Sequence, residues 1–551
     1  MRWNRGPTAG FLLDALIVGA AGVSLAGVYL ARLERRGAKL RMALEAARDD
    51  VLPKVSDLVD GLFTISYFAW PDMSQNVFDS FVLVHGGSVY RDAVTNHMPG
   101  VAQLVGLVMS VFGFAEAFPG TNTLDAGYLA GSVATVLFQL ACAFVALRLL
   151  RFSRTAAVVL SLIPCAYTAF AYDFALPMSE TLIAHLFVLV PVLAFNMLFG
   201  AHVHDRVVYA LMLGGPFTVL CLNLGLTAAP ANALLLLAAL AVGLREHGRD
   251  PKAVRDALLH DRRSWLAYLV VAVIILLSAA TVHIRDAWFW LADVNRVFVV
   301  DPLDAITHSF ATHVSDMFGR VDPIGSRYPH LLVALSLLAV AVLGSPHSTG
   351  RAGESRPLLV FIILICSAAV LTQWRMNSGV KSVTLFGLTL GTAYLALHLY
   401  LRDRRPASDL WLLPLFAAPV LLAGVLVKIV QYDRMAGPRH AALDAANVCR
   451  FGETRDCRCI QVTLYVPQLF LLNDMRSCSS RFASSAFVVD RHPMLRRMMT
   501  DDVKRADMAF WTYSPELMRE SGVPDEAIRY LQTQATCFPV TGREAICTAP
   551  P

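Results

Sequence analysis

Long apolar runs alternate with short polar segments through residues 1–431, and a polar region follows at 432–551. An α-helix needs about 20 predominantly apolar residues to cross a bilayer, so the runs predict about eleven transmembrane helices. We therefore expect an all-α polytopic membrane protein that carries a polar C-terminal domain. The candidate spans are 11–30, 126–150, 156–174, 181–200, 207–222, 226–244, 266–282, 331–343, 358–374, 380–400 and 410–430.

Basic residues concentrate in alternate connections between these spans. Lys and Arg are retained on the cytoplasmic side of membrane proteins, so these connections are expected in the cytoplasm. The same alternation predicts a cytoplasmic N-terminus and an extracytoplasmic region 432–551. The basic clusters are Arg148 with Arg151 and Arg154, the linker from Arg245 to Arg263, the segment from Arg351 to Arg356, and Arg402 with Arg404 and Arg405.

The C-terminal region carries most of the ten cysteines, namely Cys449, Cys457, Cys459, Cys478, Cys537 and Cys547. An even number in an extracytoplasmic domain favours disulfides, with the pairing left open. A metal site is the weaker alternative, because Cys457 and Cys459 form a C-x-C that no second close pair follows. The β-branched runs and helical segments of this region predict a small α/β domain. The remaining cysteines lie in apolar runs and are expected as buried thiols: Cys142, Cys165, Cys221 and Cys366.

A polar stretch at residues 71–100 interrupts the apolar pattern near the start of the chain. Loops of this length are usually functional or disordered, and this one is too apolar and aromatic for disorder. The run at 98–114 is short, so we expect a juxtamembrane or re-entrant helix there. Residues 31–125 then form one external loop that holds juxtamembrane helices. A second polar loop at 283–330 and a short third one are expected on the same face.

Composition supports the membrane assignment and narrows the function. The sequence is 56% hydrophobic and 16% charged, with a mean hydropathy of +0.54. A soluble domain typically carries about 25% charged residues. The net charge of +5 is small and indicates no nucleic-acid partner. The spans are nearly free of charge and ionisable groups gather in the predicted external loops, so any chemistry is expected at the outer membrane surface.

Within residues 71–100, Asp72 is the candidate general base. It follows Trp70 and Pro71 at the expected membrane surface, where a reduced dielectric favours proton uptake by a carboxylate. Helix capping is the alternative role, since Asp is a strong cap residue. Arg91 could hold a phosphate in a forked contact, or it could pair with Asp92.

These residues resemble the first external loop of polyprenyl-phosphate-sugar-dependent glycosyltransferases with the GT-C fold, the superfamily of protein mannosyltransferases and aminoarabinose transferases. That loop runs from an acidic residue to a glycine, then to Tyr-Arg-Asp, and then to His or Lys before Pro-Pro. Here Gly86 stands 14 positions after Asp72, Tyr90–Arg91–Asp92 follows, and His97 precedes Met98–Pro99–Gly100.

Two later segments extend the resemblance. Val111–Phe112–Gly113 is similar to the end of the family's juxtamembrane helix, and Pro177–Met178–Ser179–Glu180–Thr181 is similar to its later acidic element. The chain departs from the pattern at Met73, where the family often has a second acid, and at Gly100, where it has proline. A metal site built on two adjacent carboxylates is therefore not expected.

The resemblance implies an integral membrane glycosyltransferase of the bacterial inner membrane. It would transfer a sugar from a polyprenyl-phosphate donor to a cell-envelope glycan, lipid or protein at the extracytoplasmic face, amid membrane lipids. Asp72 would deprotonate the acceptor hydroxyl, while basic groups, with Arg375 and Lys381 as candidates, would stabilise the departing phosphate. Glu180 would position the acceptor or bind a divalent cation with Asp92. The implied substrate-binding residues are Tyr90, Arg91, Asp92, His97, Glu180, Arg375 and Lys381.

Two other classes of function stay open at this point. A transporter or flippase for a lipid-linked or small solute would show inverted repeats and ionisable residues at mid-helix depth. A non-enzymatic scaffold for envelope assembly would be insensitive to Asp72→Asn. The gathering of ionisable groups in external loops favours an enzyme over both.

Overall fold

The computed structural model describes residues 71–92, 95, 97–111, 123–170, 178–294, 355–372, 384–402, 459–462, 476–477, 492–505, 509–520, 522–541 and 544–550. Up to residue 402 these parts are helical. The α-helices are α1 Pro71–Val84, α2 Gly100–Val111, α3 Thr123–Leu149, α4 Arg154–Phe170, α5 Ser179–Leu186, α6 Leu189–Phe199, α7 Val203–Met212, α8 Thr218–Leu224, α9 Ala229–Arg249, α10 Pro251–His260, α11 Arg262–Thr281, α12 Ile284–Trp288, α13 Ser355–Leu371 and α14 Thr384–Arg402.

Four stretches of the described residues are long and apolar enough to cross a membrane: Ser179–Phe199, Val203–Leu224, Ala229–Arg249 and Arg262–Thr281. They match four of the predicted spans, and α3, α4, α13 and α14 match four more. The predicted spans at 11–30, 331–343 and 410–430 lie outside the described residues, so the total of about eleven stays a prediction. The described part of the prediction, a bundle of apolar helices, is confirmed.

Irregular turns and small residues let these apolar helices pack closely. A π-helical turn at Leu213–Phe217, which contains Pro216, joins α7 to α8 within one span. On α14, Gly387 and Gly391 lie directly against the backbone of the α5–α6 span, and a Cβ at either position would collide with the carbonyl oxygen of Ala184 or Val188. This small-xxx-small spacing is the usual means by which helices approach closely in membranes.

The basic connections meet at one end of the bundle. Arg263 bonds to Asp205 at 2.9 Å and lies over the ring of Tyr209, 5.7 Å from its centroid. Arg151 also interacts electrostatically with Tyr209. Two of the basic clusters therefore share one end, as the charge pattern predicts, although the side of the membrane that this end faces stays a prediction.

The polar loops meet at the other end. The backbone of Val89 pairs with that of Val282, through Val89 N–H to Thr281 O at 2.9 Å and His283 N–H to Val89 O at 3.2 Å. The first and second polar loops thus touch, in agreement with the prediction that they share a face. The two ends are joined by α11, whose 20 residues rise about 30 Å, close to the thickness of a bilayer core.

The described C-terminal residues contain both helices and strands. The strands are β1 Cys459–Val462, β2 Arg476–Ser477, β3 Ala509–Tyr513, β4 Thr536–Thr541 and β5 Glu544–Thr548, and the helices are α15 Pro493–Asp502, α16 Pro515–Glu520 and α17 Asp525–Thr533. The sheet order is β2-β1-β3-β5-β4, parallel from β2 to β3 and antiparallel from β3 to β4. A domain boundary near residue 431 stays a prediction.

One disulfide joins strands β4 and β5, between Cys537 and Cys547. This agrees with the expected oxidation of the C-terminal cysteines. The side chain of Cys459 is not described, and Cys449, Cys457 and Cys478 lie outside the described residues. In the apolar helices Cys142 and Cys221 are free and buried, as predicted, and Cys366 is free but only half-buried. The side chain of Cys165 is not described.

The C-terminal region packs on the same end of the bundle as the polar loops. Leu495 and Met498 of α15 belong to the hydrophobic core of the helical bundle. The ring of His492 lies edge-on to Phe289, which follows α12, with centroids 6.0 Å apart. The two polar loops and the tail therefore converge at one end of the molecule.

Candidate functional site

Helix α1 presents a buried face that is polar. Gln75, Asn76, Asp79 and Ser80 are each at most 2% exposed. Their spacing of three and four residues places them on one side of the helix. The Gln75 side-chain amide donates to the Asp79 carboxyl at 2.6 Å, and the Ser80 hydroxyl donates to the carbonyl of Asn76 at 2.6 Å.

A tight turn after α1 reverses the chain. Gly86 has φ +80°, a left-handed conformation that glycine adopts without strain. The Asp92 carboxylate then closes the turn by accepting from the backbone N–H of Ser88 at 2.8 Å and from its hydroxyl at 3.1 Å. Both Arg91 and Asp92 are exposed. The turn therefore presents an Arg and an Asp side chain to the surroundings.

Tyr90 fixes the returning chain to the buried face of α1. It is 1% exposed and has φ +75°, which a residue with a Cβ adopts only where its surroundings enforce it. Its hydroxyl donates to the carbonyl of His97 at 2.7 Å. The backbone N–H of His97 donates to the Thr95 hydroxyl at 3.0 Å, and its ring Nδ1 lies 3.2 Å from the side-chain oxygen of Asn76.

A second polar network fixes helix α2 beneath this loop. The Gln103 amide donates to the Thr281 hydroxyl at 2.7 Å, and the Asn223 amide donates to the Gln103 oxygen at 2.8 Å. The Ser278 hydroxyl donates to the Asn223 oxygen at 3.2 Å. Residues 100–111 are thereby tied to two of the candidate spans, α8 and α11, and the 12 described residues of α2 rise about 18 Å, too short to cross a bilayer.

The electrostatics of the loop centre on Asp79. Burial raises the pKa of its carboxyl from 3.8 to about 7, although hydrogen bonds from Gln75 and Thr95 lower it. Burial, and secondarily the Asp79 carboxyl, also raises the pKa of the Tyr90 hydroxyl. Among the described residues no Lys, Arg or His forms an ion pair with Asp79. The site thus contains a carboxyl group that exchanges its proton near neutral pH.

Comparisons with known proteins return a structural similarity only. No family model matches the sequence, and no curated protein matches it. The fold is similar to crystal structures of ArnT from Cupriavidus metallidurans. For the apo state the TM-score is 0.44 and the identity 14%, and for the state bound to undecaprenyl phosphate they are 0.45 and 13%. In both cases 92% of this chain and 100% of the other are covered. Likeness of this degree establishes no shared activity.

Asp72 lies at the second position of α1 as described, inside the helix rather than at its cap. Its side chain is not described. Position 72 precedes Asp79 by seven residues, which is two helical turns and therefore the same face of α1. The two roles considered for Asp72, general base and helix cap, both stay predictions.

The other predicted site residues divide into buried and exposed groups. Tyr90 is buried and bonds to the carbonyl of His97, whereas Arg91 and Asp92 are exposed. The Asp92 carboxylate accepts from Ser88, and none of the described contacts joins it to Arg91, so the Arg91–Asp92 ion pair stays a prediction. A role for these four residues in substrate binding stays a prediction. Arg375 and Lys381 lie outside the described residues.

Glu180 lies in the first turn of α5, where the helix dipole favours an acidic side chain. Met178 precedes the helix without a side-chain capping bond. None of the described contacts joins Glu180 to Asp92. Within the described residues no group of three or more His, Cys, Asp or Glu side chains could hold a metal ion. The described side chains therefore do not fit the expected divalent cation, and no step is assigned to one.

Sequence reasoning missed Asp79, Gln75 and Asn76 as members of the site. Their signal was present in SQNVFDS at residues 74–80, where polar residues recur at the spacing of one helical face. A polar helical face is usually exposed to solvent, so the pattern alone did not indicate burial. In the structure Thr95 and His97 return onto that face, and α2 packs beside Ser80.

Proposed function

We propose that this chain is an integral membrane glycosyltransferase that transfers a sugar from a polyprenyl-phosphate donor to an envelope acceptor at the extracytoplasmic face. Asp72 is its general base. The observation that supports the proposal is the first polar loop, in which the turn that presents Arg91 and Asp92 returns onto the buried polar face of α1, the helix that also carries position 72. This arrangement lies at the end of an apolar bundle, where a lipid-linked donor and a soluble acceptor meet.

The proposed reaction consists of one proton transfer and the exchange of one bond at the anomeric carbon. The Asp72 carboxylate accepts the proton of the acceptor hydroxyl as that oxygen bonds to the anomeric carbon of the sugar. The bond between the anomeric carbon and the phosphate oxygen breaks, and the polyprenyl phosphate departs with the electron pair. Basic side chains near the departing phosphate stabilise its charge. Arg91 is the exposed candidate in the described loop, and Arg375 and Lys381 are candidates from the sequence.

The test uses purified protein and a panel of undecaprenyl-phosphate sugars as polyprenyl-phosphate donors. Asp72→Asn is expected to lower the transfer rate by about 10²–10⁴-fold, the usual contribution of a positioned general base. It should leave binding of undecaprenyl phosphate nearly unchanged, since the variant removes a base and no phosphate contact.

Asp256→Asn is the matched control for this test. Asp256 lies on α10 at the basic end of the molecule, and its substitution should leave transfer unchanged. Equal transfer by wild type and Asp72→Asn would remove Asp72 from the mechanism. Absence of transfer from every donor in the panel, together with absence of undecaprenyl phosphate binding, would overturn the proposed function itself.

A transporter is the second candidate, because one observation favours it. His185 is fully buried within the candidate span Ser179–Phe199. Ionisable residues at membrane depth are typical of substrate and proton pathways. Sugar transfer by protein in detergent requires no transport, so activity there would favour the enzyme. Solute uptake into proteoliposomes that His185→Gln abolishes would favour the transporter.

A further inference from the structure

The buried polar face of α1 contains one carboxyl group that the proposed mechanism does not use. Asp79 is 1% exposed and accepts from the Gln75 amide at 2.6 Å. A buried carboxylate without a cation is unfavourable unless hydrogen bonds compensate it. The compensation here comes from neutral donors, and one of them, Thr95, belongs to the loop rather than to α1.

The loop fastens onto this face at two points. The Thr95 hydroxyl donates to the Asp79 carboxyl and accepts from the backbone N–H of His97. The His97 ring contacts the Asn76 side chain one turn earlier on α1. Asp79 and Asn76 therefore anchor the C-terminal half of the loop on α1.

These contacts determine the direction in which the side chains of Arg91 and Asp92 project. The Tyr90 hydroxyl bonds to His97, so the anchored segment holds Tyr90 in its left-handed conformation. A residue in this conformation persists only when its surroundings enforce it. Release of the anchor would let Tyr90 relax and would redirect the two exposed residues that follow it.

We propose that Asp79 is a positioning residue whose buried carboxyl group anchors the loop through Thr95 and so directs Arg91 and Asp92 toward the substrate. The catalytic consequence rests on the proposed glycosyltransferase function, whereas the anchoring does not. Loss of the anchor should weaken the binding of a phosphate-bearing lipid without removing the general base.

The protonation of Asp79 gives this anchor a dependence on pH. Its pKa is raised to about 7 in the folded protein, from 3.8. Between these two pH values the folded state holds a proton that the unfolded segment releases. The contribution of Asp79 to docking is therefore fully present below 3.8, is lost as the pH rises from 3.8 to about 7, and stays constant above 7.

Few other ionisable groups surround this carboxyl. Tyr90 interacts with it electrostatically, and His97 contacts the neighbouring Asn76. Helix α2 has no ionisable residue, and α3 has Cys142, which is buried, and Arg148, which bonds to Phe152 at the far end of that helix. The outer end of α3 also carries Asp125 and Tyr128, whose side chains are not described.

The test is hydrogen exchange of the 88–97 backbone in the purified protein, corrected for the intrinsic effect of pH. In the wild type, corrected exchange should accelerate by up to about tenfold per pH unit between 3.8 and about 7 and should level off above 7, since one proton is linked to docking in that range. Asp79→Asn keeps the shape of the side chain and cannot ionise, so its exchange should not depend on pH. Asp256→Asn should behave as the wild type.

The wild-type measurement decides the matter even if Asp79→Asn does not fold. Corrected exchange in the wild type that is independent of pH would overturn the proposal, as would a pH dependence that persists in Asp79→Asn. Thr95→Val removes the loop's donor and should give fast exchange at all pH values. Undecaprenyl phosphate serves as the lipid probe, and its affinity for the wild type should fall over the same pH range. If exchange behaves as expected and the probe does not bind, the anchor stands and the glycosyltransferase proposal fails.

Discussion

The two ends of the bundle bury polar groups in opposite ways. At the basic end, Glu246 is 1% exposed and accepts from Arg206 at 2.8 Å, with Arg249 at 3.5 Å. Asp261 is bonded to Arg263 at 2.8 Å and to His204 at 2.7 Å. At the loop end, Asp79 is equally buried, and within the described part of the chain its donors are the neutral side chains of Gln75 and Thr95. One end uses ion pairs, and the other uses hydrogen bonds without a cation.

The difference determines which end responds to pH. At Asp261 desolvation is the largest single influence and raises the pKa, but the bonds from Arg263 and His204 together lower it to about 2. The stability that Asp261 provides is therefore present above 3.8 and is lost only as the pH falls through about 2. At Asp79 the corresponding loss occurs as the pH rises from 3.8 to about 7. Near neutral pH the Asp261 carboxylate at the basic end therefore stays ionised, whereas the Asp79 carboxyl group at the loop end changes its protonation.

Removal of Arg206 should have the largest effect on stability. Breaking a buried ion pair from one side leaves an uncompensated charge and typically costs about 3–5 kcal/mol. We expect Arg206→Met to fall near the lower bound, because Arg249 and Arg245 also lie within 4.0 Å of Glu246. The measurement is the free energy of unfolding in detergent at neutral pH.

Two companion variants sharpen this prediction. Arg249→Met removes an arginine that is 56% exposed, so it should cost less than about 1 kcal/mol. The double variant Arg206→Met with Glu246→Leu removes both charges and should recover most of the loss. If the double variant were as unstable as Arg206→Met alone, the cost would not come from the buried charge and the comparison of the two ends would fail.

Gln75→Leu should have an intermediate effect on stability, and it acts at the loop end. The Gln75 amide lowers the pKa of Asp79, so its loss should raise that pKa further above 7. The pH at which corrected exchange at 88–97 levels off should therefore move to a higher value. Loss of the hydrogen bond should also destabilise the protein by about 1–2 kcal/mol.

Gln103→Leu is the control for this prediction. It disrupts the neighbouring network with Asn223 and Thr281 at a comparable cost and donates nothing to Asp79. Exchange at 88–97 in this variant should level off at the same pH as in the wild type. If exchange in Gln75→Leu levelled off at a lower pH than in the wild type, the amide would not stabilise the ionised carboxyl.

The helical bundle and the meeting of the polar loops could be predicted from sequence, because both follow from simple periodicity. Apolar runs mark spans, and the alternation of basic connections sorts the loops into two groups. The contact of Val89 with Val282 agrees with that sorting. The exposed turn with Arg91 and Asp92 was also predictable, from its glycines and its Tyr-Arg-Asp.

The buried network could not be predicted in the same way. Burial of Asp79 depends on the return of Thr95 and His97 over α1, a contact between residues far apart in sequence. A polar helical face gives no sign of what covers it. Sequence proximity likewise gave no sign that Asp92 accepts from the backbone N–H of Ser88.

Ser88→Ala should have the smallest effect, and it tests whether burial rather than polarity distinguishes the loop's two carboxyl groups. The Ser88 hydroxyl donates to Asp92 at 3.1 Å on the exposed side of the turn, and the backbone N–H of Ser88 still donates in the variant. An exposed hydrogen bond of this kind contributes about 0.5 kcal/mol. The variant should shift the unfolding free energy by no more than that, and exchange at 88–97 should still level off near pH 7. If Ser88→Ala changed the pH at which exchange levels off, the exposed Asp92 would be coupled to the buried Asp79, and the pH response would belong to the whole turn rather than to one buried carboxyl.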